Sequence, residues 1–204
     1  MKARVFLLAA ACAACASVGP QRLDGGRIER SVYRNDYFGF SLPVPESATV
    51  ESSAQNAKMF EEGLASTAPV SAGLPLLALR LRESLPNALD GAVIACAVEK
   101  LPPGAAIKDG FEYLDGTRAM MDAQRIRFKI KTPAHPVSIG GEGFTAERYE
   151  VQSGGTVLQS ELAVSLRRGY AFVVSVTFES EEGFSRARDV LRSAAFRPPG
   201  FSRP

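Results

Sequence analysis

Apolar and polar residues alternate along much of this chain, and the period of the alternation changes several times. Period two marks strands with one apolar and one wet face. Ser31 to Asp36 and Phe38 to Pro43 read as two short strands around the turn-favouring Asn35-Asp36 pair, and Pro43 and Pro45 end the second. Leu77, Leu79 and Leu81 alternate with Ala78, Arg80 and Arg82, predicting a strand over residues 76–82. Gly91 to Glu99 is apolar on both faces, which predicts a central strand. Arg125 to Lys131 alternates strictly and stops at Thr132-Pro133. A short segment with Val137 and Ile139 then leads to Gly140-Gly141, a turn or bulge before the next strand. Three strands follow as a meander over residues 143–152, 156–167 and 170–178. Their joints, Ser153-Gly154-Gly155 and Arg168-Gly169, are short enough for hairpins.

Three stretches change to a helical period. Ser53 can cap a helix to about Ala65, with Ala57, Phe60 and Leu64 on one face. Asp109 and Glu112 make a capping-box-like start to a helix ending near Ala123, whose predicted buried stripe is Ile107, Phe111, Leu114 and Met121. Ser180 caps a helix over residues 181–193, with Phe184, Ala187, Val190 and Leu191 as its apolar face. Glu181 and Glu182 sit at its positive end, and Arg188 and Arg192 sit toward its negative end. The sum predicts one α+β domain. Its centre is a mostly antiparallel sheet of about seven strands with helices packed against it.

The N-terminus has a different grammar. Lys2 and Arg4 precede an uncharged stretch from Val5 to Ala11, and small residues dominate from Ala9 to Ser17. That order matches a secretory signal. The stretch is too short to span a bilayer, which takes ~20 residues. Two cleavage sites are open. Ala14-Cys15-Ala16 suits an ordinary signal peptidase cutting before Ser17. Ala13-Ala14-Cys15 suits a lipoprotein peptidase, with Cys15 receiving the lipid. Two of the three cysteines lie here, and lipidation is a reason for them. The expected organisation is a lipoprotein-type signal at 1–15, a flexible tether at 16–30, the domain at 31–197 and a tail at 198–204. Ala16 after the cysteine suits outer-membrane sorting if the cell is Gram-negative.

Composition narrows the function classes. A net charge of +2 argues against nucleic acid as the main partner. In the mature chain only Cys96 remains besides the anchor, so no disulfide framework is expected. Cys96 sits in an apolar run and reads as a small buried hydrophobe. The single histidine, His135, is expected in a loop beside Pro136. With one His and one Cys, a conventional zinc site is excluded. No Gly-x-Ser-x-Gly elbow is present, and Gly140-Gly141-Glu142-Gly143 lacks the strand–loop–helix setting of a dinucleotide loop. No cofactor is expected, and a non-catalytic protein is expected ahead of an enzyme.

The opening Tyr33…Tyr37-Phe38-Gly39-Phe40-Ser41-Leu42-Pro43-Val44-Pro45 resembles the start of PsbP-like domains, where a Gly-Phe-x-aliphatic-x-x-Pro strand follows a short aromatic strand. The end is similar too, with an apolar strand from Tyr170 to Phe178, a helix, Leu191-Arg192-Ser193 and a final Phe196. The chain departs from the type in having no Trp after the opening strand. The resemblance implies a central antiparallel sheet with helices against it. It also implies a protein that docks onto a larger complex, like the extrinsic photosystem II subunit that names the family. No functional residue carries over.

One feature has electrostatic content. Arg125, Arg127, Lys129 and Lys131 fall two apart on a predicted strand, so all four point to one face, with Ile126, Phe128 and Ile130 on the other. Arg80 and Arg82 are a smaller copy. Such a stripe can meet an anionic lipid, glycan or acidic protein surface, or it can be a wet sheet face or a protected edge. The expected function is a lipid-anchored envelope module that binds or assembles with other envelope components. The alternatives are a carrier of a small apolar ligand and a hydrolytic enzyme.

Overall fold

A computed structural model describes residues 23–51, 73–81, 91–102, 104, 106–153 and 156–197. The helix expected from Ser53 to Ala65, Arg82, Cys15 and the tail from 198 lie outside the described residues. The described strands are β1 (Arg27–Glu29), β2 (Val32–Asn35), β3 (Phe40–Pro43), β4 (Ala48–Val50), β5 (Leu74–Leu81) and β6 (Ala92–Lys100), then β7 (Arg127–Ile139), β8 (Glu142–Ser153), β9 (Thr156–Arg167), β10 (Tyr170–Phe178) and β11 (Ala195–Phe196). The described helices are α1 (Gly110–Ala123) and α2 (Glu181–Arg192).

Seven strands form the main sheet in the order β4-β5-β6-β10-β9-β8-β7, and every pairing is antiparallel. The apolar-on-both-faces strand β6 is interior, as its pattern demands. A second sheet, β1-β2-β3-β11, was not expected as a separate layer. Its strands are two to four residues long and carry too few alternations to assign them to a sheet. Residues 27–29, within the segment expected as tether, pair with β2.

The main sheet buries both faces. On one, Ala97, Leu162, Val164, Ala171 and Val173 meet Tyr113, Leu114 and Met121 of α1. On the other, Ile94, Cys96, Phe172, Val174 and Phe178 meet Tyr33, Phe40 and Leu42 of the small sheet and Phe184, Ala187 and Leu191 of α2. Phe172 is the hub of that second layer. Its ring lies 5.3 Å from Phe38, 5.1 Å from Phe40 and 5.4 Å from Phe196, all edge-on.

The capping predictions locate both helices. Asp109 Oδ1 accepts from the Glu112 N–H, and Ser180 Oγ accepts from the Gly183 N–H. Glu112 reaches back to the Lys108 N–H, one residue earlier than a capping box specifies. The stripe expected on α1 needs correction. Phe111 is 42% exposed, and the buried positions are Gly110, Tyr113, Leu114, Thr117 and Met121. Gly110 sets this rotation, because a Cβ there would sit 2.6 Å from Thr145 Oγ1. The helix can rest on β8 only with a glycine at that contact.

A larger correction concerns residues 125–139. The strand does not stop at Thr132-Pro133. It runs on as the single thirteen-residue β7, with register shifts at Ile130/Thr132 and Thr132/His135. β7 is the edge of the sheet, and an edge tolerates Pro133, Pro136 and bulges that a central strand would not. His135 is therefore a strand residue. Gly140 and Gly141, both at positive φ, form the tight turn into β8, and Arg168-Gly169 turns β9 into β10 the same way.

Glu147 is buried at 1% exposure on the sheet face beneath α1. Arg118 Nη1 donates to both its oxygens at 2.9 and 2.8 Å, Tyr149 Oη donates to it, and so does the Ala134 N–H at 3.2 Å. Replacing Arg118 with Met leaves a buried carboxylate without its counter-ion. That change is expected to cost about 3 kcal/mol in urea unfolding, at the low end of the range for broken buried pairs because Arg118 keeps some solvent contact. Adding Glu147→Leu is expected to restore most of the loss.

Candidate functional site

Two groups of side chains carry the charge chemistry of the described domain. The first is the open end of β7. Arg127 stands opposite Gln152 and Lys129 opposite Glu150, with Ile126 and Phe128 turned to the α1 face. Phe128 packs edge-on against Tyr149 at 5.9 Å. Arg127, Lys129 and Lys131 are all exposed. Lys131 Nζ pairs with Glu150 Oε2 at 3.1 Å. Arg127 and Lys129 make no ion pair among the described residues. Arg125 lies before the strand, at φ 58, where its N–H closes the end of α1 on the Asp122 carbonyl. It is exposed at the same end of the sheet but does not share the strand's alternation. Ile130, expected to be buried, is 39% exposed, because the bulge beside it lifts the edge away from α1. Of the smaller cationic pair, Arg82 lies outside the described residues. Arg80 is held by Glu51 at 2.9 Å.

The second group was not foreseen. Arg148 on β8 lies with its guanidinium carbon 4.6 Å above Phe178 and 4.1 Å above Phe184. Its two terminal nitrogens donate to Glu181 at 2.9 and 3.1 Å, a bidentate clamp on the first turn of α2. Arg148 stands directly across from Glu161 on β9, and its buried Nε has no hydrogen-bond partner. Glu161 is half-buried, and burial pushes its carboxyl above the usual carboxylate range. Arg188, Arg148 and His135 oppose the shift, and Glu181 adds to it. The cluster joins three strands and a helix. Both arginines stack on Phe184, with Arg188 at 5.6 Å.

The signal for these residues was present in the strand patterns. Glu147 shares a face of β8 with Tyr149 and Val151, and Glu161 is the one carboxylate of β9. A charge in that register has to find a partner. His135 Nδ1 is 2.9 Å from the Pro133 carbonyl, which holds the ring. Cys96 is buried, and burial pushes its thiol up to about 12, so it is no nucleophile. Among the described residues no group of three or more His, Cys, Asp or Glu could hold a metal ion. No helix among them is long and apolar enough to cross a membrane.

Comparison with known proteins follows from this architecture. Cyanobacterial PsbP from Synechocystis superposes with a TM-score of 0.52 at 14% identity, covering 88% of this chain and 100% of that one. The fold is PsbP-like. A protein of Bacteroides thetaiotaomicron aligns at TM-score 0.48 and 15% identity, over 85% of this chain and 51% of the other. LpqN of Mycobacterium tuberculosis, a protein involved in cell envelope biogenesis, aligns at 0.45 and 16%, over 78% and 83%. These last two scores are too low to carry an argument. Neither a protein-family profile nor a curated protein matches the chain.

The raised carboxyl of Glu161 has a consequence for stability. Its folded form takes up a proton at higher pH than its unfolded form does, so ionised Glu161 opposes folding at neutral pH. That opposition fades as pH falls through the folded value toward the ordinary glutamate range. Glu161→Gln is expected to raise the melting temperature at neutral pH, with the gain over wild type shrinking as the buffer is acidified toward the ordinary glutamate value of about 4.3. Melting curves across that range check it; a gain that grows on acidification would reverse the sign.

Proposed function

We propose that this protein is a lipid-anchored component of the cell envelope that works by docking, with the lipid on Cys15 and the PsbP-like domain as the docking body. The observation that carries the proposal is the long β7 edge. Both faces of the main sheet are packed, yet the exposed Arg127 and Lys129 on its edge make no ion pair among the described residues. A PsbP-like fold suits a peripheral subunit. The N-terminal pattern of Lys2, Arg4, a short apolar run and Ala13-Ala14-Cys15 supplies the anchor. Outer-membrane placement follows from Ala16 in a Gram-negative cell.

Intact-mass analysis of the protein from envelopes tests the anchor. A first residue of Cys15 carrying acyl chains is expected. Cys15→Ala is expected to release the protein into the soluble fraction and to weaken crosslinking to its envelope neighbours. A mature chain starting at Ser17 without lipid would sink the anchored proposal.

The charges of His135 and Glu181 are felt by the half-buried Glu161, which supports a second reading, acid–base catalysis by a hydrolytic enzyme. Under it, wild type turns over an ester or glycoside from a substrate panel and Glu161→Gln does not. Equal inactivity of both removes it.

A further inference from the structure

We infer that the open end of β7 is a membrane-contact strip that binds anionic phospholipid headgroups, a deepening that rests on the docking function proposed above. Three observations point there. Arg127 and Lys129 are exposed on one strand face and make no ion pair among the described residues, Glu150 across from Lys129 being paired with Lys131, and Arg125 adds a third exposed cation from the turn just before. Charge complementarity therefore asks for an anionic partner. Second, Ile130 lies between Lys129 and Lys131 and is 39% exposed on the opposite side of the same edge. A free anion has no use for an apolar side chain at that place. A bilayer interface does, since it takes an apolar group below the level at which cations meet phosphates. Third, the bulges beside Ile130 and Thr132 and the prolines at 133 and 136 spoil this edge for pairing with another strand. The edge presents side chains to a partner, not backbone.

The chain from Cys15 to Leu23, where it is already packed on the domain, spans at most ~28 Å when extended, which keeps the domain beside the membrane that holds Cys15. The lipid keeps the domain at the surface, and the strip sets which side faces down. Cations near an anionic surface act over about a Debye length, so the contact weakens with salt, except for the part due to Ile130.

The test uses the protein produced from Ala16 onward, which has no lipid and keeps every described residue. Its co-sedimentation is measured with vesicles of phosphatidylcholine alone and with phosphatidylglycerol added. Binding is expected only to the phosphatidylglycerol vesicles, and less of it at high salt. Arg127→Gln and Lys129→Gln are each expected to weaken it roughly fivefold, and the pair roughly 25-fold. Lys100→Gln with Lys108→Gln makes the same change in net charge elsewhere and is expected to bind like wild type. Ile130→Ser is expected to remove the binding that survives high salt. All these positions are exposed, and unchanged melting temperatures show that the variants fold. No binding to phosphatidylglycerol vesicles overturns the inference, and so does a Lys100/Lys108 variant that loses as much as the Arg127/Lys129 variant. Retained binding by that latter variant overturns it as well. Because no lipid is attached, the outcome is independent of whether Cys15 is acylated.

Discussion

The geometry of this domain's edge strand depends on one buried carboxylate. Glu147 takes hydrogen bonds from a helix through Arg118, from its own strand through Tyr149, and from the edge strand through the backbone of Ala134. Without these donors a charge at that depth would cost several kcal/mol. With them, it fixes three elements relative to one another. The bond to Ala134 lies within the second register shift of β7, between Thr132 and His135, so the place where the edge strand loses its regular register is also where it is tied down. The cations of β7 thus project from a strand held on its inner side by a buried charge.

Burial of an ion pair alone says little about net stability, because an apolar replacement of equal shape can do as well. What the Glu147 network adds is definition. Apolar contacts such as those of Leu114 and Met121 carry little direction, whereas Arg118 reaching both Glu147 oxygens fixes where α1 sits along the sheet. Gly110 narrows the choice from the other end of the helix, where it touches Thr145. The Arg148–Glu181 clamp does for α2 what Arg118–Glu147 does for α1. Each helix is seated by one guanidinium reaching a carboxylate across the packing layer.

Much of this was legible in the residues. The meander from Glu142 to Phe178 follows from strict alternation and tight glycine turns, and the helix starts follow from Asp109 and Ser180. The failures have physical causes. β7 was cut short because Pro133 and Pro136 forbid a central strand, and only the finished sheet reveals that this strand is an edge. The α1 stripe was rotated because a glycine contact outranked an aromatic side chain. The small second sheet depends on contacts such as Phe40 with Phe196, far apart in sequence and invisible to any local period. Of the candidate site, the cations Arg127 and Lys129 came directly from the pattern. The Arg148 cluster did not, since it is assembled from three strands and a helix and no short stretch contains it.

Cys96 carries a last implication. Its thiol sits fully enclosed beneath the small sheet, and its ionisation is pushed up to about 12. The thiolate, the form that attacks disulfides, is therefore almost absent at physiological pH. In an oxidising compartment the buried Cys96 offers no accessible sulfur for a mixed disulfide, so it needs neither a partner cysteine nor a reducing system to stay unlinked. A cysteine introduced anywhere on the surface would be the sole labelling handle of the folded domain, ready for a spin label or fluorophore that reports the distance to a bilayer.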